Sequence, residues 1–94
     1  MPINKRFVTT DMRIGERVLL ARRRLDLSQR DVAELVPMGP SALNRLERGL
    51  QSVSAETLAR LARILRVSSD YLLGLRDERG RLIKEEDEEE VGVA

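Results

Sequence analysis

Between two stretches of helical periodicity the chain reads Val36-Pro37-Met38-Gly39-Pro40-Ser41, two prolines and a glycine within six residues. Pro37 has no N–H to give and disfavours helical geometry at Val36, so the helix that runs in must stop there. Gly39 is expected to supply the conformational freedom of a turn. Pro40 stands where proline is welcome, at the first position of a new helix. Whatever this chain folds into must break one helix and launch another within a few residues.

The text on either side supports that frame. Asp11 is expected to cap a first helix from about Met12 to Leu25, with Ile14, Val18, Ala21 and Leu25 on one stripe. Ser28 can cap a second helix from Gln29 to Leu35 or Val36, burying Val32, Ala33 and Val36. The third runs from about Pro40 to Arg48 with Leu43 and Leu46 inward and Gly49 as its stop. Ser54 caps a fourth, Ala55 to Arg66, striped by Leu58, Leu61, Ala62 and Leu65, and a short fifth segment follows Ser68-Ser69. The reading is all-α: a compact five-helix body with no strand signal.

Composition narrows the chemistry. In 94 residues there is no cysteine and no histidine, which excludes disulfides, thiol chemistry, His- or Cys-ligated metal and Ser/His nucleophiles. No cofactor is implied. No apolar run approaches the roughly 18 to 20 residues of a membrane span, and the first ten residues lack a signal-peptide core, so a cytosolic protein is expected. Residues 1–74 carry 13 Lys+Arg against 8 Asp+Glu, while residues 75–94 carry 4 against 8, so a basic body leads into an acidic tail. An enzyme is disfavoured, because every acid is expected on a helix surface, at a cap or in the tail, where no cleft desolvates it.

Two short helices joined by a tight turn form the helix-turn-helix arrangement, whose second helix enters the DNA major groove. The stretch "LSQRDVAELVPMGPSALNRLERG" followed by "SAETLARLARILRVSSDYLLG" resembles the lambda-repressor/Cro (XRE-type) DNA-binding domains, without a gap from Leu27 to Leu73. Gln29 opening the second helix, Ala33 at the helix crossing, Glu47-Arg48-Gly49 and the Val67-Ser68-x-Asp70-x-Leu72-Leu73 ending carry the likeness. The turn position most often held by glycine in that family is Pro37 here, with Gly39 two residues later. The tilt of the third helix is therefore left to the structure.

Residues divide into those that position the protein on phosphates and those that read bases. At the start of the second helix Gln29 can offer its backbone N–H and its amide to a phosphate, as the matching glutamine does in the family, or be a solvated first-turn residue. Pro40, Ser41, Asn44 and Arg45 form the exposed N-terminal face of the third helix. Arg45 can fork onto guanine, Asn44 can pair with adenine and Ser41 can meet either base type. Pro40 and Ala42 offer only apolar contact, and a plain phosphate contact is the alternative for Arg45. Arg48, Gln51 and Ser52 are placed beside the DNA backbone. By resemblance Glu47 pairs with Arg22 and ties the first helix to the third.

The resemblance also implies a homodimer on two half-sites, with Tyr71, Leu72, Leu73 and Leu75 at its interface and Leu82-Ile83 extending it as a small strand or helix. The expected division is a leader at 1–10, in which Lys5 and Arg6 either track DNA or are merely mobile, a DNA-binding domain at 11–74, and an acidic extension at 75–94 with a disordered end. The function expected is a sequence-specific regulator of transcription that binds double-stranded DNA, most simply a repressor on an inverted-repeat operator. A second class is an antitoxin or regulatory interaction protein whose acidic tail engages a protein partner. For the six-acid run itself, a solubilising tail and one that competes for the basic face are both open.

Overall fold

A computed structural model describes residues 8–84, in which five helices follow in chain order: α1 Thr10–Arg24, α2 Gln29–Leu35, α3 Pro40–Glu47, α4 Ala55–Leu65 and α5 Ser69–Leu72. Each start except that of α3 is closed by a hydroxyl. Thr9, Ser28, Ser54 and Ser68 accept from the backbone N–H of Met12, Asp31, Thr57 and Tyr71, satisfying donors that the helix itself leaves open. Asp11 was the wrong cap. Thr9 holds extended backbone and closes the helix, which puts Asp11 in the first turn, where its charge still suits the helix dipole.

The turn between α2 and α3 is also built differently from expectation. Gly39 is the N-cap of α3 with φ −78° and ψ 162°, ordinary extended backbone, and a Cβ built on it meets nothing within 4 Å. The turn therefore needs no glycine. Pro37 ends α2, leaving Val36 extended at φ −112° and ψ 128°, and Pro40 starts α3 with its fixed φ. Gly49 does need its type, because φ is +75° and a Cβ there would lie 3.0 Å from the Met12 side chain.

Ile14, Val18 and Ala21 of α1, Val32, Ala33 and Val36, Leu43 and Leu46 of α3, Leu61 and Leu65 of α4, and Tyr71 and Leu72 of α5 make one buried core. Burial of this apolar area, worth about 25 cal/mol per Å², holds the short helices that would not persist alone. Where α1 crosses α3 there is no room for a Cβ on Gly15, which would meet the carbonyl oxygens of Leu46 and Glu47, the latter at 2.9 Å. No periodicity argument singles out Gly15; only the crossing does.

Beyond α5 the chain turns back on the helices. Arg76 and Leu82 form an antiparallel bridge, the Ile83 N–H donates to the Leu75 carbonyl at 2.9 Å, and Asp77 and Arg81 close the turn. Arg17 fastens this hairpin to α1, its Nη1 donating to the carbonyls of Tyr71 and Arg76, each at 2.9 Å, with its guanidinium 4.6 Å above the Tyr71 ring. Residues 75–84 thus pack on the domain instead of departing from it. The leader with Lys5 and Arg6 and the acidic run at 85–90 lie outside the described residues.

Candidate nucleic-acid interface

The Glu47 carboxylate is the centre around which the interface is assembled. Arg22 Nε donates to Oε2 at 2.6 Å and Nη2 to Oε1 at 2.9 Å, a two-pronged ion pair, while Gln29 Nε2 donates to the same Oε1 at 2.9 Å. Arg22 Nη1 reaches the Leu27 carbonyl at 2.9 Å, so the link between α1 and α2 is held as well. One carboxylate thereby fixes the start of α2 and the end of α3 against α1. The hydrogen bond to Glu47 raises the Arg22 pKa against the opposing effect of burial, so the guanidinium keeps its charge.

Glu47 corrects the expectation that every acid lies at the surface: its side chain is only 4% exposed. It sits where α1, α2 and α3 converge, and the guanidinium and carboxamide replace the water it loses. Gln29 has a part that sequence reasoning did not assign. One N–H of its carboxamide is given to Glu47, which leaves the other and the backbone N–H at the first turn of α2 as donors for an anion.

On α3 the faces separate as the spacing requires. Leu43 and Leu46 are fully buried, while Pro40, Ser41 and Arg45 are exposed and Ala42 and Asn44 are half-buried. Arg45 Nε donates to Gln51 Oε1 at 3.0 Å, a contact that orients the guanidinium and couples the helix to the loop behind it. Ser52 Oγ donates to Asp11 Oδ2 at 2.8 Å, pinning that loop to the first turn of α1. Arg48 is exposed and has no acidic partner among the described residues. The structure thus brings Gln29, Pro40, Ser41, Asn44, Arg45, Arg48, Gln51 and Ser52 onto α2, α3 and the one loop that follows them.

The four residues expected at a dimer interface do not share one environment. Tyr71 is 5% exposed and Leu72 fully buried, both within the core of the single chain, so they present no free side-chain surface. That part of the expectation is corrected: α5 is one short turn, and its apolar face is needed to close the core over α1 and α4. Leu73 is partly packed on the core, whereas Leu75 and Leu82 are 50% and 69% exposed on the hairpin.

A helix ended by Pro37, a second launched at Pro40 with a polar outer face, and a buried node that fixes both define a helix-turn-helix module. The chain belongs to the helix-turn-helix family of XRE/Cro-C1 type, whose profile matches residues 18–72, more than half of its 94 residues. It is similar to the HTH-type transcriptional regulator ImmR of Bacillus subtilis (strain 168), 36% identical over 63 residues, covering 67% of this chain and 50% of that protein. The chain thus spans about half the length of the curated relative it matches. Among solved structures it is similar to the biofilm master regulator SinR in complex with DNA, at 33% identity and TM-score 0.60 over 64% of this chain and 97% of that one. The P22 c2 repressor with a synthetic operator is similar at 30% identity and TM-score 0.60, over 63% and 89% of the two chains.

Proposed function

We propose that this protein binds double-stranded DNA and regulates transcription by laying α3 in the major groove. The observation that carries the reading is the outer face of α3: Ser41 exposed in its first turn and Arg45 in its last, with Arg48 at its end, on a helix whose inner face and whose Glu47 are locked to α1 and α2. Membership of the helix-turn-helix family and the likeness to SinR with DNA and P22 c2 with operator support it.

In this reading the backbone N–H of Gln29, Arg48 and the Gln51-Ser52 loop position the protein on phosphates. Arg45 reads a guanine by a fork worth about 1–3 kcal/mol of discrimination, and Asn44 and Ser41 add contacts beside it. With Pro40 and Ala42 offering only methyl and ring surface, part of the specificity rests on thymine methyls and DNA shape.

The protein acts as a dimer on an inverted repeat whose half-sites lie about one helical turn apart, most simply as a repressor that occupies an operator. Leu73, Leu75 and the Leu82-Ile83 pair of the hairpin supply the apolar part of the dimer surface. Selecting sites from a random duplex pool at near-physiological salt tests this. An enriched inverted repeat supports it, and salt-sensitive binding without enrichment rejects sequence-specific regulation.

A further inference from the structure

Four contacts lead from the end of the hairpin to the interface. The Ile83 N–H is bonded to the Leu75 carbonyl, and the neighbouring Gly74 lies so close to Arg13 that a Cβ there would be 2.7 Å from its Cδ. One residue earlier on α1, Met12 packs against Gly49, and Asp11 holds the hydroxyl of Ser52. Lys84, the last described residue, thus follows the end of the hairpin that lies by Arg13, two residues after the Asp11 that pins the loop after α3. Arg45 is bonded to Gln51 in that loop, and Arg48 directly precedes the Gly49 that meets Met12.

The residues that follow are six consecutive acids, 85–90. Six residues of any extended chain, at about 3.3–3.6 Å each, can bridge up to about 20 Å. That charge density is close to the one charge per about 3.4 Å of axis that a single DNA strand carries.

We propose that, without DNA, the acidic run 85–90 docks on the arginine-bearing surface of α3 and its loop, Arg45 and Arg48 foremost, and competes there with phosphates. The inference rests on the DNA-binding reading above and adds its regulation. A docked run suppresses weak, sequence-independent binding, while an operator, bound about 10³-fold or more tighter than random duplex, displaces it.

The test compares the full chain with a full-length variant carrying Glu85→Gln, Glu86→Gln, Asp87→Asn, Glu88→Gln, Glu89→Gln and Glu90→Gln. Without DNA, backbone amide resonances of Arg45, Arg48 and Gln51 are expected to differ between the two, and the difference to fade at high salt. Affinity for a random-sequence duplex at about 100 mM salt is expected to rise about fivefold or more in the variant. Higher affinity with unmoved α3 and loop resonances would overturn the docking, leaving only a long-range field. Concentration-dependent shifts confined to Leu75 and Leu82 would overturn it too, placing the run on a second copy. If neither protein binds any duplex, the DNA reading fails by itself, and the resonance map still decides whether the run sits on α3.

Discussion

Arg22 closes on Glu47 with both prongs of its guanidinium, 2.6 and 2.9 Å from the two carboxylate oxygens, across a side-chain pair that is 11% and 4% exposed. Such a pair is costly to form and far more costly to break, since removing one partner leaves the other charge buried. Arg22→Ala is therefore expected to destabilise the domain by about 3 kcal/mol. Urea unfolding of Arg22→Ala, Glu47→Ala and the double variant checks it. The double should cost much less than the sum of the singles, and strict additivity would show that the two groups do not depend on each other.

Gly15 and Gly39 should answer oppositely to the same change. Gly15→Ala drives a methyl into the Leu46 and Glu47 carbonyls, which neither backbone can vacate without opening the α1–α3 crossing, so a loss of about 2 kcal/mol or more is expected. Gly39→Ala enters open space at a φ any residue adopts, and should leave stability unchanged or raise it by about 0.5 kcal/mol. Thermal or urea denaturation separates them, and equal losses at both sites would contradict the geometry of the turn.

Arg45 and Arg48 are expected to fail in different ways on DNA. Arg45→Ala should relax the preference at one base pair by about 1–3 kcal/mol and leave the others intact. Arg48→Ala should weaken binding to all sequences alike and lower the salt dependence by about one ion. Site selection repeated with each variant, alongside salt titrations of affinity, distinguishes a base reader from a phosphate contact.

Acid should loosen the start of α2. The Ser28 backbone N–H, and then its hydroxyl, hold the Asp31 carboxyl below its ordinary value of 3.8, because the capping box favours the charged form. The folded state thus binds fewer protons than the unfolded one. The stabilisation is fully present above the ordinary value and is lost as pH falls through the lowered one. Asp77 follows the same sign, held chiefly by the Arg81 backbone N–H in the hairpin. Urea midpoints from about pH 7 down to about pH 2 should fall less steeply for Asp31→Asn than for the parent chain.

Much of this protein was legible from local chemistry. Proline at 37 and 40 ends one helix and starts the next whatever surrounds them, Ser28 and Ser54 cap by their own hydroxyls, and the leucine spacing of α3 and α4 sets which face turns inward. These effects act within a turn or two of chain. They put Ser41 and Arg45 on the outer face of α3 and Leu43 and Leu46 on the inner one.

What only the tertiary structure decided are the relationships between residues far apart in sequence. Gly15 is required by the carbonyls of α3, Gln29 is drawn to Glu47, Arg17 is tied to Tyr71 and Arg76 more than fifty residues later, and Tyr71 and Leu72 are enclosed in the core. None of these has a local cause. Each arises because close packing leaves no room for a Cβ at one crossing, and because polar groups carried inside by it must find partners wherever the fold happens to bring them.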